Sequence, residues 1–276
     1  MKIGKKYFDL DSDRSLIMGI LNVTPDSFSD GGKYLDVDSA LFQAEKMIRD
    51  GADIIDVGGE STRPGYTKIS CWDEIARINP VVKAIKERFD VPVSVDTYKW
   101  EVAEAVIESG ADMINDIWGL DYYEDKEHKM AKVVAAAEIP VCIMHNKADR
   151  IISMDRISFE REIIEDMKKR IKIAEDNGIY DWNIILDPGV GFAKNFEENM
   201  WCISLISQLK KLGYPVLLGI SNKSLIGNIT GLEVDQRKEG TIALNVLGRE
   251  FGGKIFRVHA VLANKRALVV ADSICG

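Results

Sequence analysis

Residues 54–65 (IIDVGGESTRPG) combine side chains that could bind an anion at the end of a β-strand. The apolar start predicts a short strand ending near Asp56, and the Gly, Ser, Thr, Arg and Pro residues that follow predict a loop. Thr62 offers a hydroxyl group and Arg63 a planar cationic fork, both suited to a phosphate or carboxylate. Taken alone, the stretch is also compatible with a turn that carries an ordinary surface arginine.

Polar residues follow the other apolar runs in the same way. They are Asn22, Asp96, Asn115, His145, Asp187, Ser221, Lys223, Arg257 and His259. One aspartate at a strand end often only caps the next helix. So many polar side chains at successive strand ends instead predict one binding pocket. His128 lies in a charged run away from any strand end and is predicted to be a surface residue.

Apolar runs and amphipathic segments alternate eight times along the chain. The predicted strands are 16–21, 54–57, 93–95, 113–115, 141–144, 184–186, 216–219 and 255–258, and the predicted helices are 38–50, 72–89, 100–109, 126–137, 159–177, 196–212, 236–250 and 261–274. Parallel strands need such crossover helices. Eight units in about 250 residues predict a single α/β domain over residues 1–276, a (β/α)8 TIM barrel, rather than a doubly wound sheet. The charged runs 124–129 and 168–172 are predicted to be solvated helix faces.

Composition limits the classes of partner. The 276 residues are 46% hydrophobic, which is enough for a large core, and the net charge of -8 argues against a general nucleic-acid or anionic-membrane binder. We find no apolar run of signal-peptide or membrane-spanning length. The four cysteines, Cys71, Cys142, Cys202 and Cys275, have no CxxC spacing. We therefore expect a soluble cytoplasmic protein with free thiols.

Charge divides the predicted pocket into two parts. Arg63, Lys223, Arg257 and His259 would hold phosphate or carboxylate groups, whereas Asp96, Asn115 and Asp187 would bind the N–H groups of a nitrogen-rich heterocycle. Asn22 could hold Mg2+ that bridges a diphosphate, because this metal prefers oxygen ligands and few protein contacts. A heterocycle, a diphosphate and a cation would then share one pocket.

Seven motifs follow one another along the chain: MGILNVTPDSFSDGG (18–32), GADIIDVGGESTRPG (51–65), VSVDT (93–97), GADMINDIWGL (110–120), ILDPGVGFAK (185–194), GISNKSLIG (219–227) and RVHAV (257–261). Together they resemble the motifs of the dihydropteroate synthase family. The resemblance runs in family order from about residue 17 to residue 274. The resemblance implies a (β/α)8 barrel that joins 6-hydroxymethyl-7,8-dihydropterin diphosphate to 4-aminobenzoate with Mg2+ and releases pyrophosphate. These small molecules would be its partners, in a homodimer, and sulfonamides would compete with aminobenzoate.

The resemblance also implies residue roles. The residues that would hold the pterin are Asp96, Asn115, Asp187 and Lys223. Those that would hold the diphosphate and its metal are Asn22, Arg257 and His259. Aminobenzoate would be bound by two loops that carry Phe28, Thr62, Arg63 and Pro64, near Ser221 and Phe192. The remaining predicted substrate-binding residues are Asp56, Met144 and Gly219. Asp96, Asp187, Lys223 and Arg63 are the predicted catalytic residues. An SN1-like route is expected, in which pyrophosphate leaves before the weakly nucleophilic amine attacks.

Three positions depart from the family pattern. Asn222 replaces the usual arginine of SRKS, residues 144–148 read MHNKA where MHMRG is more usual, and Ala260 stands where aspartate is frequent. Asparagine supplies neither charge nor a guanidinium for stacking. These departures leave open a weakly active or non-catalytic pterin-binding paralogue. A methyltetrahydrofolate:corrinoid methyltransferase is a further alternative, although it would have no use for the diphosphate-binding residues.

Overall fold

Ten strands and nine α-helices form within the part of the chain that the computed structural model describes, namely residues 1–23, 33–60, 68–148, 150–152 and 155–275. For residues 33–36 it describes the backbone only. The strands are β1 (Lys2–Ile3), β2 (Lys6–Tyr7), β3 (Leu16–Asn22), β4 (Ile54–Gly58), β5 (Val93–Asp96), β6 (Met113–Asp116), β7 (Val141–Met144), β8 (Ile184–Asp187), β9 (Leu217–Leu218) and β10 (Ile255–Val258). The helices are α1 (Lys33–Arg49), α2 (Cys71–Arg88), α3 (Trp100–Glu108), α4 (Lys129–Ala137), α5 (Arg156–Asp176), α6 (Phe196–Lys210), α7 (Ser224–Thr230), α8 (Lys238–Glu250) and α9 (Val261–Cys275).

Strands β3 to β10 form a parallel barrel. Their order in the sheet is β8-β7-β6-β5-β4-β3-β10-β9. A parallel bridge between Leu186 and Val216 joins the two ends, and the Leu186 backbone N–H donates to the Pro215 carbonyl at 3.0 Å. Helices follow the strands around the outside, as parallel connections require. The predicted fold class, a (β/α)8 TIM barrel, is confirmed.

The barrel strands alternate between two apolar environments. Side chains such as Ile55, Val57 and Ile114 belong to the large core between strands and helices. Their neighbours belong to a separate buried cluster, which we call the apolar layer: Leu16, Met18, Ile54, Met113, Cys142, Ile185, Leu217 and Ile255. Successive strand residues point to opposite faces. The apolar layer therefore fills the barrel interior.

A small hairpin adds to the apolar layer. Strands β1 and β2 pair antiparallel, and the buried side chains of Ile3 and Phe8 join the same cluster as Met18 and Ile54. Because these residues precede the first barrel strand, the hairpin packs against the end where the strands begin. The sequence analysis did not predict this hairpin.

The charged run before α4 differs from its prediction as a helix face. Helix α4 begins at Lys129, three residues later than predicted. The Asp125 carboxylate accepts hydrogen bonds from the backbone N–H groups of Lys129 and Met130, both at 2.9 Å. Most of this run therefore forms a turn before the helix. Asp125 is buried in it, whereas Glu124, Lys126 and Glu127 are exposed, as predicted.

The second charged run, in α5, is only partly solvated. Arg170 is 3% exposed and donates to the carbonyl oxygens of Gly119 at 3.3 Å and Asn146 at 2.6 Å. The prediction of a solvated face is therefore wrong for this arginine. Helix α7 also was not predicted, because seven residues are too few to show helical periodicity clearly.

Local capping fixes where two long helices begin. The Ser70 side chain accepts from the Asp73 backbone N–H at the start of α2. Asn195 and Glu198 form a reciprocal capping box at the start of α6, with distances of 2.8 and 3.0 Å. None of the described helices is both long enough and apolar enough to cross a membrane.

Candidate active site

Most residues that stand two positions beyond the apolar layer are polar. The polar pairs are Ile54 and Asp56, Met113 and Asn115, Ile185 and Asp187, and Ile255 and Arg257, whereas Cys142 and Leu217 are followed at the same spacing by Met144 and Gly219. A spacing of two keeps both members on the interior face. We call Asp56, Asp96, Asn115, Asp187 and Arg257 the polar layer. It lies at the carboxyl ends of the strands, where barrel enzymes carry their active sites.

Arg257 joins two carboxylates of the polar layer. Its Nε donates to Asp56 at 2.5 Å and its terminal nitrogen donates to Asp96 at 2.6 Å. Asn115 donates to the same Asp56 oxygen at 3.3 Å. Burial disfavours the Arg257 cation, but the two carboxylates outweigh it and raise its pKa above the ordinary value. The guanidinium therefore stays charged inside the barrel.

The two carboxylates beside Arg257 differ in access. Asp56 is completely buried, so it acts on the site through Arg257 and Asn115; its predicted contact with substrate stays a prediction. Asp96 is 9% exposed, and burial raises its pKa to about 7 against the lowering effect of Arg257. One oxygen of each carboxylate is buried without a hydrogen-bond partner among the described residues.

Asp187 and Lys223 form a second charged group across the barrel mouth. Burial raises the pKa of Asp187 and lowers that of Lys223 to about 8. Lys223 donates to the Val190 carbonyl, and its ammonium lies 4.8 Å from the centroid of the Phe192 ring. The Gly219 backbone lies beside both, because a Cβ added there would be 3.6 Å from an Asp187 oxygen. A planar heterocycle would meet donors, acceptors and an aromatic face here.

Ser221 and His259 meet at the rim of the mouth. Ser221 Oγ lies 2.9 Å from His259 Nδ1, and the His259 backbone N–H donates to the same hydroxyl at 3.2 Å. Ser221 is buried, whereas His259 is exposed. A recess of about 300 Å³ opens next to His259 and is lined by the cations Lys46, Lys238 and Arg266 and by the carboxylate of Asp50. The cations outnumber the carboxylate, so the recess suits an anion.

Asn22 ends β3 beside the polar layer. An added Cβ on Gly58 would lie 3.7 Å from both the Asn22 amide oxygen and the Asp96 Cβ. The described residues contain no cluster of three His, Cys, Asp or Glu side chains that could hold a metal. The predicted metal-binding role of Asn22 stays a prediction.

The remaining predicted site residues have different outcomes. Met144 is buried with Tyr98 and Ile117, and Phe192 packs against this group. Phe28, Thr62, Arg63 and Pro64 lie outside the described residues, so their roles stay predictions.

His145 was predicted to stand at the rim, and this is wrong. Since Met144 points inward, His145 points outward, where its ring is fully buried. Its Nδ1 lies 3.1 Å from the Lys194 ammonium and its Nε2 lies 3.7 Å from an Asp166 oxygen. Burial lowers the His145 pKa to about 3, so the ring is neutral.

Asn222 adopts a left-handed backbone conformation with φ of +58°. Its backbone N–H donates to Thr241 Oγ1 at 3.1 Å, and its side-chain oxygen lies 3.4 Å from the same hydroxyl. Asparagine tolerates this conformation better than most residues do. The Asn222 side chain thus packs against α8 rather than replacing an arginine in the pocket.

A buried network around Glu60 was not predicted. The Glu60 carboxylate accepts from the Ile69 backbone N–H at 2.9 Å, from the Tyr98 hydroxyl at 2.8 Å and from the Lys99 ammonium at 2.6 Å. Lys99 also donates to Glu74 at 2.6 Å. Glu60 and Ile69 flank residues 61–67, so the network fixes both ends of the segment that carries Thr62 and Arg63. Glu60 is the acidic residue within the GGESTRPG motif, and it is the feature of the sequence from which this network could have been predicted.

Comparisons with known proteins agree with this geometry. A model of the family described as pterin binding enzyme matches residues 18–259. A dihydropteroate synthase of Clostridium beijerinckii is 51% identical over 275 residues, covering 99% of each chain. The crystal structure of dihydropteroate synthase from Clostridium difficile in the presence of pteroic acid is 44% identical, with a TM-score of 0.89, and the match covers 99% of this chain and 98% of that one.

A Xanthomonas albilineans dihydropteroate synthase solved with 4-aminobenzoic acid is 38% identical, with a TM-score of 0.88. The match covers 96% of this chain and 94% of that chain. All of these similarities extend over nearly the whole barrel. The chain therefore belongs to the dihydropteroate synthase family of pterin-binding enzymes.

Proposed function

We propose that this chain joins 6-hydroxymethyl-7,8-dihydropterin diphosphate to 4-aminobenzoate and releases 7,8-dihydropteroate and pyrophosphate in folate synthesis. The observation that carries the proposal is the barrel mouth, where the carboxylates Asp96 and Asp187 and the cation Arg257 of the polar layer lie together with the Lys223 ammonium. Related dihydropteroate synthases were solved with 4-aminobenzoic acid, which is one of the proposed substrates, and with pteroic acid, which resembles the proposed product; both support the same reaction here.

The heterocycle binds between the two charged groups of the mouth in this proposal. The edge of the pterin meets the carboxylates of Asp96 and Asp187, which accept hydrogen bonds, and the amide of Asn115, which can accept or donate. Lys223 donates to the carbonyl oxygen of the pterin. The raised pKa of Asp187 and the lowered pKa of Lys223 reflect burial, and both charges gain a partner when a polar ring arrives. Binding thus relieves part of the cost of burying these groups.

The diphosphate lies toward Arg257, His259 and the cationic recess beside them. Asn22 and the phosphate oxygens would hold Mg2+, which supplies charge neutralisation for the departing pyrophosphate. One Asp96 oxygen is buried without a hydrogen-bond partner among the described residues, and Asp96 and Asn22 both lie beside Gly58, which is consistent with an incoming cation or N–H group there. The donor set therefore fits this metal.

The reaction follows an SN1-like order. The bond between the pterin methylene carbon and the diphosphate oxygen breaks first, and its electron pair leaves with pyrophosphate. Asp96 and Asp187 stabilise the positive charge that develops on the pterin. The aminobenzoate nitrogen then attacks the methylene carbon and loses a proton. The predicted loop residues Phe28, Thr62, Arg63 and Pro64 would complete the aminobenzoate pocket, where sulfonamides would compete.

The test is pyrophosphate release from dihydropterin diphosphate with Mg2+, measured with and without 4-aminobenzoate alongside dihydropteroate formation. Release coupled to dihydropteroate is expected. A purified protein that binds pterin but forms no dihydropteroate, under conditions where a related synthase does, would overturn the proposal.

A weakly active pterin-binding paralogue is the second candidate, favoured by the orientation of Asn222 toward Thr241. Calorimetry separates the two candidates. Tight pterin binding without an aminobenzoate site would support the paralogue.

We also propose that the 276 residues act as one domain, in a cytoplasmic homodimer. The four free cysteines support a reducing compartment. Exposed apolar residues on α9, namely Val269, Val270 and Ile274, support an apolar interface in the later half of the chain. Sedimentation of the protein with and without Val270→Asp tests the dimer: a monomeric wild-type protein would contradict it.

A further inference from the structure

The segment that follows β8, residues 187–194 (DPGVGFAK), has an unusual backbone. Gly189 and Gly191 have φ of +70° and +86°, and Ala193 has φ of +48°. A Cβ on Gly189 would lie 2.0 Å from the His145 carbonyl oxygen. An alanine in the left-handed region is unfavourable unless its surroundings hold it there. We call these residues the β8 loop.

Lys194 holds the β8 loop from behind. Its ammonium group donates to the carbonyl oxygens of Gly189 and Phe192, both at 3.0 Å, and to that of His145 at 3.2 Å. No carboxylate among the described residues lies within ion-pair distance of it. Three converging carbonyl groups need a donor at their centre, because buried acceptors are costly when left unpaired. Lys194 thus stabilises the loop rather than forming an ion pair.

His145 completes the surroundings of this lysine. Its Nδ1 faces the Lys194 ammonium at 3.1 Å, so this nitrogen accepts and the ring proton is on Nε2, toward Asp166. Asp166 in turn pairs with Lys147 and Lys169, both at 3.0 Å. A chain of contacts therefore runs from α5 through the neutral imidazole to the β8 loop.

The front of the β8 loop faces the barrel mouth. The Gly189 backbone N–H donates to the Asp187 carboxylate at 2.7 Å. Lys223 donates to the Val190 carbonyl, and Phe192 lies under its ammonium group. Three groups of the pterin site are therefore fixed by the backbone that Lys194 holds.

We propose that Lys194 is a positioning residue for the pterin half of the site. By gathering three carbonyl groups behind the β8 loop, it sets where Asp187, Phe192 and Lys223 meet the heterocycle, and it does not touch the substrate. The inference rests on the proposed function, since it assumes that Asp187 and Lys223 bind pterin. It assigns no role in binding the diphosphate, which lies toward Arg257 on another strand.

The test uses Lys194→Met, which keeps the length of the side chain and removes every donor. Calorimetry measures two ligands separately with Mg2+ present: 6-hydroxymethylpterin and inorganic pyrophosphate. We expect pterin binding to weaken by about 30-fold, while pyrophosphate binding stays within about threefold of wild type. A merely structural role would weaken both. Lys194→Arg, which retains donors, is expected to recover part of the pterin affinity.

Lys147→Met is the matched control. This lysine pairs with Asp166 at the other end of the same chain of contacts, is 45% exposed and does not touch the β8 loop. The Lys147→Met protein should bind pterin with the same affinity as wild type. If Lys194→Met binds pterin as wild type does, or loses both ligands equally while remaining folded, the inference is wrong. If Lys194→Met does not fold, Lys194→Gln, which cannot donate to all three carbonyl groups as the ammonium does, takes its place: selective weakening of pterin binding supports the inference, and unchanged pterin binding or equal weakening of both ligands overturns it.

The proposed function fails in a different way. If the wild-type protein binds neither pterin nor pyrophosphate, the proposed function is wrong, and this result is obtained before any variant is compared.

Discussion

The apolar layer and the polar layer occupy the same barrel interior, two residues apart on the same strands, yet they differ in almost every physical respect. Ile54, Met113 and Ile185 are completely buried in apolar surroundings and need no partner. Asp56, Asn115 and Asp187 are nearly as buried but carry polar groups. Burial stabilises the first set directly. It disfavours the charged forms of the second set unless a partner or ligand is present.

This difference separates stability from function along each strand. The apolar layer and the hairpin of β1 and β2 close one end of the barrel with packed side chains. In the polar layer, one oxygen each of Asp56 and Asp96 has no hydrogen-bond partner among the described residues, and burial raises the pKa values of Asp96 and Asp187; burial lowers the pKa of the neighbouring Lys223. Groups of this kind cluster where a protein binds or reacts. Substitutions in the two layers should therefore affect different measurements.

The largest effect is expected for Asp96→Asn in the polar layer. The change is nearly isosteric and leaves Arg257 paired with Asp56, so the fold should be kept. Loss of the negative charge beside the pterin should reduce kcat by about 10²–10³-fold. Steady-state formation of dihydropteroate measures this.

Asp112→Asn is the control for that variant. Asp112 is also buried, but it lies just before β6 at the opposite end of the barrel, where it pairs with Lys86 at 2.6 Å. Loss of the Asp112 charge should lower the free energy of unfolding and leave kcat nearly unchanged. Normal turnover in Asp96→Asn would remove Asp96 from the mechanism.

Ile54→Ala in the apolar layer is expected to give the opposite pattern. Removing a completely buried branched side chain should lower the free energy of unfolding by about 3 kcal/mol, through lost apolar burial and a new cavity. Urea denaturation measures the change. At a temperature where the variant is folded, the KM values should match those of wild type; a large rise in KM would show that the two layers are not separable.

His145→Gln tests a buried neutral ring behind the polar layer. The His145 pKa is lowered from 6.5 to about 3 by burial, so between these values the unfolded chain binds one more proton than the folded chain. The stabilisation is complete above pH 6.5 and is lost as the pH falls toward 3, by about 1.4 kcal/mol per pH unit. Glutamine does not titrate.

Wild type should therefore lose stability more steeply than His145→Gln over this window, as measured by urea denaturation at a series of pH values. The His145 ring helps to hold the pKa of Asp166 below its usual value of about 3.8, so below pH 4 the variant also changes this carboxylate. Between about pH 4.5 and 6.5 the difference between the two slopes therefore reports His145. Parallel slopes would mean that the ring is already protonated in the folded protein.

The smallest effect is expected for Asn222→Ala, at the rim but facing away from the polar layer. Alanine is disfavoured at φ of +58°, so the free energy of unfolding should fall by about 1 kcal/mol. Turnover should stay within about twofold of wild type, since the side chain contacts Thr241. Thermal unfolding and a standard turnover assay suffice. A collapse in turnover at unchanged stability would place Asn222 in contact with substrate.

Much of this arrangement could be predicted from the chain. Alternating apolar runs and helical segments indicated eight strand–helix units, and each strand end was visible as a change from apolar to polar residues. The period of two places Asp56, Asn115, Asp187 and Arg257 on the interior face once the strand is recognised. The family motifs added the substrates.

Other features depend on contacts between distant parts of the chain. The rim position predicted for His145 was wrong because one residue of offset turns a side chain from the interior to the helix layer. Arg170 was predicted to be solvated because the carbonyl groups that it binds lie on loops about 24 to 52 residues away in the sequence. Glu60 and Lys194 lie inside recognised motifs, but no role was predicted for them. The local sequence does not indicate which backbone groups their side chains bind.

Periodicity and turn chemistry are local properties of the chain, so the barrel, the order of its elements and the residues at the strand ends could be predicted without a structure. The partners of those residues depend on the closed barrel: Arg257 pairs with Asp56 and Asp96, Lys194 binds three carbonyl groups, and His145 contacts a lysine rather than a substrate. A charge buried in a barrel is stabilised by the groups that ring closure brings beside it, and ring closure joins strands that are far apart in the chain.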